Sequence, residues 1–490
     1  MTAPPSTNIT ASYGARARRG AIFSTLGYGG SYAMRLVSLL VLSHLFKDNK
    51  AALAQINLVG VYMTGLQLFS DIGLGPSLVQ NPRGDDPRFI NTAWTLQVIR
   101  GGLLWIVALA GALPFAAFYA EQDLPPGLSW IIPVVALGAL LGGFNSMRLF
   151  TLFRHMAQGR LMIVELIAQA LALATTVVWA MRDLSVWALV AGGLVSGLAK
   201  LILSHFALPG IRDRFCWDAE AARAVFRFGG WIFISTVLAF LVGHLDKLVF
   251  AKLIPSELFA DYGYALQIAQ LPALVLVNLT ASIAFPYYSR LHERGDALDP
   301  AYRRVRWLLL LGGGWTMSGL IAGGQTAVDL VLPAQFAAAG WMVPWLAFAY
   351  WMYLLEATNG SALLAKGLSQ WVAAAGLGKL IAMAVFIPVG YKWYGFPGAV
   401  AGFALTDAFR YGVSALATHR VGLRGWRMDL GLSIVITAIS AAGWYANAWV
   451  ETYDAPTWLR ALTVFVVVSI GWSPFAAPLI IARRARGNSG

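Results

Sequence analysis

Runs of apolar residues long enough to cross a bilayer dominate this sequence. The first extends from Ala21 to Phe46 and carries one charge, Arg35, near its middle. A polar turn, Lys47-Asp48-Asn49-Lys50, leads into a second run, Ala51 to Val79. A helix needs roughly 20 apolar residues to cover the hydrocarbon core, and both runs exceed that. In lipid every backbone N–H and C=O must be paired within the chain, so runs of this length fold as helices. Similar runs continue to the C-terminus, separated by Pro, Gly and charge. They predict spans at 20–46, 51–79, 89–119, 128–153, 160–181 and 184–208. After a polar connection come 228–253, 257–288, 302–328, 338–365, 369–390, 394–419, 429–449 and 457–481. Only 12% of residues are charged, about half the share of a soluble domain. We read the chain as an all-α polytopic membrane protein of about 14 transmembrane helices.

The charges that remain are unevenly placed. Alternate ends of the spans collect Arg16, Arg18 and Arg19; Arg83 and Arg88; Arg154 and Arg160; Arg212, Arg214, Arg223 and Arg227; Arg290, Arg294, Arg303, Arg304 and Arg306; Lys366; Arg420, Arg424 and Arg427; and Arg483, Arg484 and Arg486. The opposite ends hold only Lys47, Lys50, Arg182, Lys252, Lys392 and Arg460, beside acidic stretches such as Glu121-Gln-Asp123 and Glu451-Thr-Tyr-Asp454. This bias places both termini in the cytoplasm. It also accounts for the net charge of +13 without nucleic acid. The polar start, Met1 to Ser12, lacks the apolar core of a cleaved signal. The single cysteine, Cys216, excludes an internal disulfide and a cysteine-based metal cluster; no metal site or cofactor is expected.

The layout repeats. Arg227-Phe228-Gly229-Gly230-Trp231 opens a second long apolar run, as the first basic knot and Gly20 open the first. We therefore divide the chain into a cytoplasmic tail (1–19), an N-terminal six-helix lobe (20–208), a cytoplasmic connection (209–227), a C-terminal six-helix lobe (228–419) and two additional spans with a basic tail (420–490). Parallel repeats of this kind recur in transporters, with the substrate site between the halves.

Four segments carry a resemblance, in order along the chain. They are Asp71-Ile-Gly-Leu-Gly-Pro-Ser-Leu-Val-Gln80, Asp246-Lys-Leu-Val-Phe250, Ala260-Asp-Tyr-Gly-Tyr-Ala-Leu-Gln-Ile-Ala-Gln-Leu-Pro272 and Phe285-Pro-Tyr-Tyr-Ser-Arg-Leu291. The sequence resembles the Wzx-type lipid-linked oligosaccharide flippases of the multidrug/oligosaccharidyl-lipid/polysaccharide (MOP) exporter superfamily, which also holds the MATE exporters and the lipid II flippases. The resemblance implies two pseudo-symmetric, MATE-like lobes around a central cavity in a bacterial inner membrane. It further implies that an undecaprenyl-diphosphate-linked glycan is moved to the outer leaflet by alternating access, for exopolysaccharide, capsule or O-antigen synthesis. A glycan polymerase and export proteins are the implied partners. The lipid II flippases carry a richer arginine–aspartate set in the first helix; here Arg35 stands alone, which argues against lipid II as cargo.

Such a cargo has an anionic diphosphate, which arginine suits best. We assign substrate binding to Arg35, near mid-membrane, to Arg100 in the third span, and to Lys200. The alternative is that these cations neutralise a partner or snorkel to a headgroup. In the C-terminal half, Asp407 and Arg410 share a helix face and are expected to pair, as are Glu356 and Lys379 on neighbouring helices. Either these are structural ion pairs, or Glu356 or Asp407 titrates and couples transport to H+ or Na+. Asp246 and Lys247 are read as an outer gate or an interfacial pair. Glu165 is read as a helix-end partner near the cytoplasmic face. Gly138-Ala-Leu-Leu-Gly142 and Gly193-Leu-Val-Ser-Gly197 have the spacing of close helix packing.

Two other classes fit less well. A membrane glycosyltransferase or polymerase needs carboxylates or histidines in a large outer loop, and the outer loops are short, so no enzyme is expected. A MATE-like cation-coupled drug exporter shares the architecture but calls for a dominant buried carboxylate, whereas the N-terminal half offers cations.

Overall fold

The computed structural model describes residues 29–69, 74–121, 126–154 and 158–487. The knot Arg16, Arg18 and Arg19, the rest of the tail and the Asp71-Ile72-Gly73 part of the first motif lie outside them. The described residues form helices joined by short turns, with no strand among them. Nine of these helices are long and apolar enough to cross a membrane. Their exposed faces carry large apolar side chains such as Leu103, Ile106 and Leu113, the pattern of helices whose solvent is lipid.

The chain divides into two compact units, Met1–Phe240 with Lys247–Ser256, and Leu241–Asp246 with Glu257–Gly490. Unit 1 contains α1 (29–45), α2 (Lys50–Phe69), α3 (Leu74–Gln80), α4 (Pro87–Phe118), α5 (Leu128–Gly143), α6 (Arg148–Arg154), α7 (Gln158–Ala180), α8 (Val186–Phe206) and most of α9 (Ala219–Leu253). The span read at 128–153 is broken between α5 and α6. Gln97 of α4 donates from Nε2 to the carbonyls of Gly142, Gly143 and Asn145 at 3.2, 3.0 and 3.0 Å. These are the carbonyls that a helix end leaves without partners. Across the break, Ser146 Oγ donates to buried Asp213 at 2.5 Å and the Met147 N–H donates to it at 3.1 Å. The helix stops because partners distant in sequence satisfy its end.

Asp213 belongs to a strap, an extended stretch over 211–218 that lies on α4. The N–H groups of Arg214, Cys216 and Asp218 donate to Asn91 Oδ1, Thr95 Oγ1 and Thr92 Oγ1 at 3.0 to 3.1 Å. Asp218 then caps α9, accepting from the N–H groups of Glu220 and Ala221. The helix read from 228 therefore starts at Ala219, and the connection is shorter than the sequence suggests. Arg83 clasps the strap, donating to Asp86 at 2.9 Å, Asp218 at 2.8 Å and Glu220 at 3.2 Å.

Small residues set the helix spacing in unit 1, but not at the expected pairs. A methyl placed on Gly101 or Gly143 would press on the other helix's backbone where α4 meets α5, whereas Gly138, Gly142 and Gly193 face open space. The close approach sits one residue away from the GxxxG pattern of α5.

Unit 2 comprises α10 (Ser256–Leu279), a π turn (Thr280–Ala284), α11 (Phe285–Glu293), α12 (Leu298–Val331), a 3-10 turn (Ala334–Ala339), α13 (Met342–Ala365), α14 (Ser369–Arg420), α15 (Trp426–Glu451) and α16 (Thr457–Gly487). The two spans read at 369–390 and 394–419 are the legs of α14, which breaks at Tyr394 and Gly395. Gly395 has φ +62°, which glycine adopts without a Cβ clash. The legs fold back so closely that a methyl on Gly390 would overlap the Gly398 carbonyl. Helices α15 and α16 pack on α12 through Leu310, Met317, Leu432, Ile436, Val468 and Trp472, so these two additional spans belong to the core of unit 2.

That core holds an ion pair the sequence does not announce. Arg306 is fully buried, and its Nη2 donates to both Asp429 oxygens at 2.9 Å. Its Nη1 donates to Tyr302 Oη and Asn359 Oδ1. Tyr411 Oη donates to Asp429 at 2.8 Å, and Asn359 donates to Ser414 at 3.1 Å. One guanidinium thus ties α12, α13, α14 and α15 together. Arg306 is therefore not one of the basic span ends that the charge pattern suggests; it lies inside because Asp429, Tyr302 and Asn359 surround it.

Removing one partner leaves a buried charge uncompensated, which costs about 3–5 kcal/mol. Asp429→Ala should therefore sharply lower the unfolding temperature of the purified protein; an unchanged temperature would contradict the network. The Arg83 clasp has a pH signature. Its guanidinium holds the Asp86 and Asp218 carboxyls below the usual carboxylate range through hydrogen bonds. Carboxyls depressed in the folded state stabilise it above their ordinary value of 3.8 and lose that contribution as pH falls through the lowered values. The protection of the strap amides against hydrogen exchange, measured relative to the intrinsic rate at each pH, should hold down to that pH and fall below it. In Arg83→Ala that protection should already be lower at neutral pH.

Candidate functional site

Two polar clusters stand out, one in each unit. In unit 1, Lys200 of α8 donates to Glu165 of α7 at 2.7 Å, and Gln169, one turn along α7, reaches the same carboxylate at 3.5 Å. Arg35 of α1 lies within electrostatic reach of Glu165. The exposed apolar residues of the two helices, Ile163 and Ile167 on α7 and Leu198 and Ile202 on α8, flank the charged pair at two-residue spacing. Two residues along a helix turn it by about 200°, so Glu165 and Lys200 point away from those faces. Even so, 40% of the Glu165 and 36% of the Lys200 side chain stay exposed. The cluster is an open polar niche with two cations and one carboxylate. Glu165 lies about 10 Å into its helix, deeper than a helix-end role would place it.

Arg100 is half-buried on α4 and donates to the Gln67 carbonyl near the end of α2 at 2.7 Å. That carbonyl lies at the α2 terminus, where a cation suits the helix dipole.

In unit 2 the four predicted charges do meet, but with exchanged partners. Lys379 Nζ lies 2.9 and 2.8 Å from the two Asp407 oxygens. Arg410 Nη2 lies 2.8 Å from Glu356 Oε2. Neither the expected Asp407–Arg410 pair nor the Glu356–Lys379 pair forms. The shared face of Asp407 and Arg410 is packed between α13 and the first leg of α14, and each residue finds an opposite charge across a helix boundary. Aromatic rings close the cluster: Arg410 stacks on Tyr353 at 5.2 Å and Lys379 on Phe403 at 5.1 Å. The Asp407 and Glu356 side chains are only 4% and 3% exposed.

Asp246 is also buried and accepts from Tyr262 Oη at 2.5 Å. It and Asp407 both act electrostatically on Tyr262 and Tyr350, so it extends the same cluster. Its neighbour Lys247 is half-buried, and adjacent helix positions do not face one another. Asp246 thus pairs inward with a hydroxyl instead of with Lys247. This cluster sets three carboxyl groups against two cations, the reverse of the niche in unit 1. Among the described residues no group of three or more His, Cys, Asp or Glu could hold a metal ion.

Residues 51–340 match the model of a family described as polysaccharide biosynthesis protein. The chain belongs to that family. Two relatives of this polysaccharide biosynthesis protein are similar along most of their length. The teichuronic acid biosynthesis protein TuaB of Bacillus subtilis (strain 168) is 21% identical over 377 residues, covering 76% of this chain and 75% of TuaB. The lipopolysaccharide biosynthesis protein WzxC of Escherichia coli (strain K12) is 20% identical over 392 residues, covering 79% and 78%. Among solved structures, the lipid II flippase MurJ in an inward closed conformation superposes with TM-score 0.73 at 10% identity, covering 94% of this chain and all of MurJ. An inward-facing multidrug resistance MATE family transporter of the MOP superfamily superposes with TM-score 0.62 at 12% identity, covering 82% and 94%. The fold is that of the MOP superfamily, as the sequence resemblance implies.

The exchanged partners are testable by double-mutant cycles on unfolding. Coupling between Glu356 and Arg410, and between Lys379 and Asp407, should be about 1–3 kcal/mol. Coupling in the Asp407/Arg410 pair should be smaller. Equal coupling in all pairs would contradict the observed partners.

Proposed function

We propose that this protein moves a lipid-linked oligosaccharide from the cytoplasmic to the outer leaflet of a bacterial inner membrane, supplying surface polysaccharide synthesis. The observation that carries the proposal is the open cationic niche of Arg35 and Lys200. A lipid-linked glycan presents a diphosphate, and a cation that keeps part of its surface exposed can exchange its present partner for that anion. The buried pairs of unit 2 cannot do so without stranding a charge. Membership of the polysaccharide biosynthesis family supports a glycan cargo, as do relatives named for teichuronic acid and lipopolysaccharide synthesis. The fold shared with a lipid II flippase supports movement of the intact lipid. Moving a diphosphate needs a polar path for the head while the prenyl tail stays in lipid; no bond is made or broken, so the protein acts as a transporter. The arginine-rich helix ends face the cytoplasm on this reading, which puts the niche nearer the side where the glycan is assembled.

Ion coupling fits unit 2. Glu356 and Asp407 are each held by a cation, so protonating either would break an ion pair. Asp246 accepts from a hydroxyl, and protonation or Na+ binding there breaks none. We therefore assign coupling to Asp246 ahead of Glu356 and Asp407.

Depleting the protein should make lipid-linked glycan accumulate on the cytoplasmic side while surface polysaccharide falls. Accumulation of a toxic organic cation instead would favour the drug-exporter reading. Arg35→Ala and Lys200→Ala should each reduce surface polysaccharide at least about tenfold, the loss expected of a charge-assisted contact to phosphate, with membrane levels unchanged. Normal polysaccharide in both would remove the niche from the mechanism. Asp246→Asn should make transport insensitive to collapse of the H+ or Na+ gradient; retained sensitivity would return coupling to another group.

A further inference from the structure

The carboxylate at the centre of the unit 1 niche has no role in the reading above. We infer that Glu165 is a resident counter-ion, which occupies the diphosphate site when no cargo is present and is displaced when cargo binds. The inference rests on the assignment of Arg35 and Lys200 to the cargo's diphosphate.

Three observations support it. Glu165 is bound by Lys200 at 2.7 Å and lies within the electrostatic field of Arg35, so one carboxylate pairs with one proposed phosphate ligand and offsets the charge of the other. Both members of the pair are over a third exposed, unlike the nearly enclosed pairs of unit 2. An ion pair of that exposure is weak enough to be exchanged. Finally, Gln169 lies beside the carboxylate at 3.5 Å, so a displaced Glu165 would have a neutral donor on its own helix. Two bare cations at this depth would be costly in the empty protein, and a lone carboxylate answers that cost without enclosing the site. Glu165 and the diphosphate then compete for the same cations. This biases the site towards ligands of higher charge: a diphosphate outcompetes one carboxylate, whereas a singly charged phospholipid headgroup does so poorly.

The test is binding of farnesyl diphosphate to the full-length protein in phosphatidylcholine nanodiscs. Glu165→Gln keeps the shape of the niche and removes the competitor. It should tighten binding about two- to fivefold, the factor a partly exposed ion pair is worth. The same variant should let phosphatidylglycerol, added to the nanodisc, compete with farnesyl diphosphate where it does not in the unmodified protein. Glu165→Ala should act in the same direction, and unfolding temperatures verify that both variants are folded. The gain should vanish in Glu165→Gln/Lys200→Gln. If Lys200→Gln and Arg35→Gln weaken binding while Glu165→Gln leaves it unchanged or weakens it, the diphosphate site stands and the counter-ion role is overturned. If Lys200→Gln and Arg35→Gln bind like the unmodified protein, the site itself is wrong and the counter-ion role falls with it.

Discussion

The cost of taking an ionised side chain out of water governs the interior of this protein. Every charge placed at depth must be answered nearby or left open to a polar space. Arg306 shows the strict form of the rule. It is fully buried, and it draws an aspartate, a tyrosine and an asparagine from three helices around itself. The four charges of unit 2 follow the same rule as two enclosed pairs. The niche of unit 1 is the exception, because its ion pair keeps more than a third of each side chain exposed. The difference between closed and open pairs separates what holds the fold from what can exchange partners.

The charge balance adds a direction. The niche of unit 1 sets two cations against Glu165. The cluster of unit 2 sets three carboxyl groups against two cations. The division was visible in outline from the positions of Arg35 and of Glu356, Lys379, Asp407 and Arg410 alone.

Much of the helical layout was legible because apolar runs of membrane length have few other solutions. The two legs of α14 were read as separate spans, though the break falls at Tyr394 and Gly395, the first residues of the second predicted span, and not before them. What the runs could not show was tertiary. The break after Gly143 depends on Gln97 and Asp213, both far away in sequence. Arg306 looked like one more basic residue at a span end, and only Asp429 more than a hundred positions later makes it a core residue. The exchanged partners of unit 2 mark the limit of spacing arguments. A separation of three residues puts Asp407 and Arg410 on one face but says nothing of which opposite charge the neighbouring helices bring closer. Glu165 is a further case, since its ion pair depends on Lys200 across the α7–α8 contact.

Movement of a lipid-linked oligosaccharide across a bilayer is the activity that the family membership and the fold support. Reconstitution into liposomes holding a fluorescent undecaprenyl-diphosphate oligosaccharide, with a membrane-impermeant quencher added outside, measures that movement directly. The protein should make the inner-leaflet pool accessible to the quencher, with accessibility lost in Lys200→Ala. An inner pool that stays protected with correctly folded protein present, under an imposed H+ or Na+ gradient of either sign, would contradict the account.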